Sequence, residues 1–82
     1  MKHAFTIIRV DDTDWFWLGE LSADRKRVRC LRAWGGITTN PHWIPQKKQA
    51  NEEIIPEGHP DYDWCCVQMA LLALKGKSDA QI

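Results

Sequence analysis

Six side chains of this 82-residue chain have the chemistry to hold a metal or attack a substrate: His3, His42, His59, Cys30, Cys65 and Cys66. Their spacing supports neither role. No C-x-x-C or H-x-x-x-H pair occurs, and adjacent cysteines on a helix point about 100° apart, so Cys65 and Cys66 would not share one ion. A histidine-activated thiol at Cys30 or Cys65 has nothing in the sequence to bring the pair together. The carboxylates Asp11, Asp12, Asp14, Glu52, Glu53 and Glu57 have the type for acid–base work, yet they sit where solvated turns and loops need charge. No glycine-rich phosphate loop is present, because "AWGG" is not followed by a helix start. The expectation is no catalytic residue, no metal and no cofactor.

Two other constellations concern binding rather than catalysis. Arg25, Lys26, Arg27, Arg29 and Arg32 form a basic cluster that would neutralise phosphates, with Trp34 nearby to stack on an unpaired base. Against a nucleic-acid interface stands the formal net charge of zero, from eleven basic and eleven acidic side chains. The stretch "DDTDWFWLGE" sets Trp15, Phe16 and Trp17 among acids. Trp15 and Trp17, with Trp34 or Trp43 close by and Asp11 to Asp14 at the rim, have the composition of a pocket for a cationic small ligand.

The elements that must position these groups follow from the pattern of apolar residues. "HAFTIIRV" reads as a strand, "DDTD" as the turn that ends it and "WFWLGEL" as a second strand. In such a strand Trp15 and Trp17 lie on one face and Phe16 and Leu18 on the other, and Gly19 marks a bulge or a close approach to the backbone. Residues 22–34 fit either an amphipathic helix or a hairpin returning as "VRCLRAW". The hairpin is favoured, because it gives two apolar strands a short connection, although its loop lacks Asn-Gly or Asp-Gly. "GGITTNPHW" adds a short strand at 37–39. The proline-rich loop 41–60 carries "QKKQANEE", the composition of a short exposed helix after Pro45.

The clearest element is a C-terminal helix over 60–76. Pro60 stands at its start, Asp61 and Asp63 in the first turn, Lys75 at the far end and Gly76 as a stop. Asp61, Gln68 and Lys75 make one narrow polar stripe. Tyr62, Trp64, Cys65, Cys66, Val67, Met69, Leu71, Leu72 and Leu74 cover the rest, the pattern of a helix buried on several sides.

The architecture expected is a single α+β domain over residues 1–82: an antiparallel sheet of three or four strands in region 3–39, with the C-terminal helix packed on one face. Both sheet faces and most of the helix are apolar, and so small a chain has too few layers to cover them. A second subunit supplies the missing layer, or else loop 41–60 folds back as a lid. The partner-binding residues expected are Trp15, Phe16, Trp17, Trp34, Trp43, Leu71 and Leu72. Five tryptophans favour such a role, since Trp is enriched at interfaces. An odd cysteine count, no signal-peptide pattern and no 20-residue apolar run point to the cytoplasm, with no membrane partner. The function expected is non-enzymatic: an accessory or regulatory protein acting by protein association, as a homodimer, with a phage- or mobile-element-type inhibitor as one fitting context. The nucleic-acid module and the cationic-ligand pocket are the two alternatives.

Overall fold

A computed structural model describes residues 3–34, 36–37 and 42–81, with the side chains of Ile37 and of residues 75–81 outside the description. The chain is α+β. It runs β1 (Ala4–Arg9), β2 (Phe16–Leu21), β3 (Arg27–Ala33), β4 (Gly36–Ile37), β5 (Ile44–Pro45), β6 (Glu52–Ile55) and α1 (Tyr62–Gln81). All pairings are antiparallel. The sheet is five strands wide rather than three or four, because β4 and β5 share the outer edge of β3 and β6 flanks β1. The order β3-β2-β1-β6, with the late strand returning beside the first, is a Greek key.

The two hairpins form for local reasons. Between β1 and β2, Thr13 Oγ1 donates to the Val10 carbonyl and accepts from the Trp15 amide, while Asp12 takes a left-handed φ of 61°. Between β2 and β3 the hairpin expected for 22–34 is present. Without Asn-Gly, the turn is built from side chains. The Arg25 amide donates to the Ser22 carbonyl, Ser22 Oγ accepts from the Arg27 amide, Asp24 Oδ1 accepts from Ser22 Oγ and the Lys26 amide, and Arg25 supplies the positive φ. The Ser22 hydroxyl, and then the Lys26 amide, hold the Asp24 carboxyl below its usual range.

Gly19 meets both expectations for it. The β2–β3 register shifts between Leu18 and Gly19, a bulge that leaves Leu31 without a partner opposite. A Cβ on Gly19 would lie 2.6 Å from Val28 Cγ2 and 2.8 Å from the Trp17 ring, so the indole rests against bare backbone.

The faces of the sheet have different cover. Phe5, Ile7, Leu18, Leu31 and Ile55 form one core with Cys65 of α1, and Phe16, Tyr62, Cys66, Met69 and Leu72 pack around it. Ala4, Leu21 and Val28 form a second cluster on the opposite face, with Trp17 and Ile54 against it. Residues 46–51 cross that face from β5 to β6. The short helix expected after Pro45 is absent: the Gln46 amide donates to the Lys26 carbonyl, Gln46 Nε2 and the Gln49 amide donate to the Glu52 carboxylate, and the Glu52 amide closes a turn on the Gln49 carbonyl, so these bonds replace a helical ladder. Residues 52–55, expected as part of loop 41–60, are a strand.

The strand expected at 37–39 begins one residue sooner, as β4; Thr38, Thr39 and Pro41 lie outside the described residues. The helix starts at Tyr62 and runs past Gly76 to Gln81 rather than stopping there.

Candidate association surface

The helix is not buried on several sides, as its composition implied. One side of α1 docks on the sheet through Tyr62, Cys65, Cys66, Met69 and Leu72, and Gln68 belongs to that side too. Gln68 is buried because Arg32 Nη1 donates to its Oε1, while the Arg32 guanidinium lies 5.6 Å from the centroid of the Phe16 ring. The polar stripe read from the sequence thus turns inward at Gln68. On the other side Trp64, Val67, Leu71 and Leu74 remain 39–61% exposed. At 100° per residue these four fall within an arc of about 80°. Their spacing of three, four and three residues is that of the a and d positions of a helix–helix seam.

The stripe continues beyond the helix. Trp15, 60% exposed, lines a cleft of about 350 Å³ together with Ile7, Arg9, Thr13, Asp14, Phe16, Asp61 and Trp64. Phe16 meets Trp64 edge to face with ring centroids 5.3 Å apart, which fixes the Trp64 indole at the head of the stripe.

At the wall of this cleft Arg9 donates to Glu53 Oε1 at 2.8 Å and to Asp61 Oδ2 at 2.9 Å. His59 Nδ1 accepts from the Asp61 amide at 3.0 Å, so the ring proton sits on Nε2, 3.1 Å from Glu53 Oε2. That hydrogen bond is the largest influence on the Glu53 carboxyl, burial opposes it, and with Arg9 added the group is held below its ordinary value. Glu53, His59 and Asp61 have donor types suited to a divalent cation and converge within 4.8 Å, but the Arg9 guanidinium already provides their positive counterpart.

The residues expected to meet a partner fall in separate places. Trp15, Phe16 and Leu71 lie on or beside the stripe. Leu72 is half-buried against the core and belongs to the fold rather than the surface. Trp17 faces the opposite side of the sheet, so it does not share a face with Trp15, which precedes β2 and joins the helix-side cleft. Trp17 and Trp34 line a second cleft, with no residue from Asp11 to Asp14 at its rim. The cationic pocket therefore does not assemble in the form expected. Trp43 lies beneath Arg29, whose guanidinium is 5.1 Å from the ring centroid.

The basic cluster is divided as well. Arg29 binds the buried Glu20 through Nε at 2.8 Å and Nη2 at 2.7 Å, with His3 Nδ1 on the other carboxylate oxygen at 2.9 Å. Arg32 is held by Gln68, leaving Arg25, Lys26 and Arg27 exposed at the hairpin tip.

All three cysteines are free thiols, and Cys65 is fully buried. Burial, with the Asp61 charge adding to it, pushes the Cys65 thiol up to about 11, which makes it a poor nucleophile near neutrality. Sequence reasoning missed Trp64, Val67 and Leu74. Their a/d spacing was present in the sequence, but nearly every neighbouring position is apolar too, so periodicity alone did not separate seam from core.

No protein-family model matches the chain, and neither a curated protein nor a solved structure is similar to it.

Proposed function

We propose that this chain is a non-enzymatic accessory or regulatory protein that acts by association, and that its first partner is a second copy of itself docked through the outer face of α1. The observation that carries the reading is the exposed seam of Trp64, Val67, Leu71 and Leu74. A monomer whose helix is buried on one side normally presents polar residues on the other. An a/d stripe left bare asks for a facing helix into which its side chains insert as knobs.

A second copy fits for electrostatic and symmetry reasons. The four seam residues carry no charge, so placing the face against itself brings no like charges together, and a net charge of zero adds no long-range repulsion between copies. A single self-complementary face closes in a two-fold pair and leaves no sticky surface to propagate. Trp15, beside Trp64, adds area at the end of the seam. No described helix is long and apolar enough to cross a membrane. Three free thiols, one deeply buried, suit a reducing compartment, and the cytoplasm is the location we assign.

Light scattering on a dilution series tests the proposal. The unaltered chain should have the mass of a dimer at micromolar concentration. Leu71→Glu should give a folded monomer, because the charge would be buried without a partner only in the pair. A monomeric mass for the unaltered chain across the series, or a Leu71→Glu dimer indistinguishable from it, would overturn the reading.

A further inference from the structure

The sheet face away from α1 carries a second cleft, of about 390 Å³, between the strands and the crossing segment. Ile8, Trp17 and Val28 make its floor, Trp34, Ile44 and Pro45 its apolar wall, and Gln46, Gln49 and Asn51 a rim of amides. We propose that this cleft binds a small uncharged molecule with one flat apolar face and a hydrogen-bonding edge, the chemistry shared by a pyranose ring and an aromatic heterocycle.

Three observations support a site built for a flat ligand. First, the Trp17 indole lies against Gly19, where no side chain can intervene, so an aromatic floor is set before any ligand arrives. A floor already ordered costs little entropy on binding. Second, Trp34 lies in the tight turn between the paired residues Ala33 of β3 and Gly36 of β4, and its φ of 54° is the left-handed value such a turn takes. The turn holds the indole at the cleft wall, 56% exposed, where a stacking contact would be presented. Third, the size, about 390 Å³, is within the range of small-molecule pockets.

Charge selects the ligand class. Among the described residues the only carboxylate in the lining is Glu52, and it already accepts from Thr6 Oγ1, from Gln46 Nε2 at 2.6 Å and from the Gln49 amide at 2.8 Å. Little acceptor capacity remains for a bound cation. Among the described residues the only cation in the lining is Lys47, exposed at the rim, a single point charge without the forked geometry that clamps a phosphate. Gln46 Nε2 is bonded to Glu52 and Gln49 Nε2 to the Lys47 carbonyl, so the rim offers the second N–H and the amide oxygen of each glutamine, with the Asn51 amide, to hydroxyl, carbonyl or ring-nitrogen edges.

The test follows the five tryptophan indole N–H signals by NMR while the intact chain is titrated. One arm uses methyl glucoside and cellobiose, a second uses indole and adenosine, and controls use inorganic phosphate and butylamine. In at least one of the two arms the Trp17 and Trp34 signals should move saturably while those of Trp15 and Trp64 stay fixed; the responding arm identifies the ligand source. Trp34→Ala should weaken that binding about tenfold or more, as for loss of a stacking platform. Gly19→Ala, which displaces the floor, should weaken it too, and a folded-state spectrum of the Trp34 variant separates lost binding from lost fold. The proposal fails if neither arm gives a saturable shift up to roughly 10 mM, where even weak sites show occupancy. It also fails if Trp34→Ala binds as the unaltered chain does, or if phosphate or butylamine binds more tightly than both arms.

Discussion

Glu52 shows how one side chain links the sheet edge to the segment that crosses it. Its carboxylate joins Thr6 of β1, Gln46 at the start of the crossing and Gln49 within it. Burial alone would push this carboxyl up, but the hydrogen bonds from Thr6, Gln49 and Gln46 together outweigh it, and the group is held below its ordinary value. The sign of the pH effect follows. A carboxyl whose folded value lies below its unfolded one contributes stability that is fully present above the unfolded value, near pH 4.3, and is lost as pH falls through the folded value. Glu52→Gln should therefore melt below the unaltered chain at neutral pH, and the gap should close on acidification below about pH 4. Thermal melts across that range check it, and a gap that widens with acid would contradict the assignment.

Within α1, neighbours in sequence have opposite duties. Leu72 packs against the core of Phe5, Ile7, Leu18, Leu31, Ile55 and Cys65, whereas Leu71 stands on the outer stripe. Leu72→Ala should lower the stability of the folded chain by about 2 kcal/mol, the low end for a leucine truncation because the side chain is only half-buried. Leu71→Ala should change the stability of the isolated chain by about 0.5 kcal/mol or less, as at most surface positions, while weakening association. Denaturant melts of both variants at low concentration, paired with dimer dissociation measurements, separate the two roles. Equal destabilisation by both, with no effect on association, would place Leu71 in the core and remove the seam.

For the molecule as a whole, cover is uneven. The sheet is shielded on one side by a helix and on the other in part by the β5–β6 connection, and the helix is shielded on one side only. If a second copy completes the helix side, folding and association are linked by mass action. The melting temperature should then rise with protein concentration, and Leu71→Glu should abolish that rise. A melting temperature constant over a hundredfold dilution would count against the pair. The cleft proposed to bind a ligand lies on the opposite face of the sheet, so its occupancy should leave this concentration dependence unchanged.

The elements themselves were legible along the chain. Apolar and β-branched runs marked β1, β2 and β3, and Gly19 announced both its bulge and its close contact, because strand formation and backbone access depend on neighbours one to three residues away. Prolines, first-turn acids and a long apolar run marked α1. What lay beyond local pattern was decided by the tertiary structure. Residues 52–55 read as charged loop, and became a strand only because β1 had an unpaired edge on that side. Residues 46–51 had helical composition, but their hydrogen bonds go to Lys26 of the β2–β3 hairpin and to the Glu52 carboxylate instead of along a helix. Gln68 read as part of an outer polar stripe, and turned inward because Arg32 of β3 stood opposite it. Trp15 and Trp17, two residues apart and placed on one face by strand periodicity, separated to opposite sides because β2 begins only at Phe16. An apolar side chain states that it prefers to leave water; which neighbour takes it out of water, or whether the folded chain leaves it for a partner, depends on how distant segments meet.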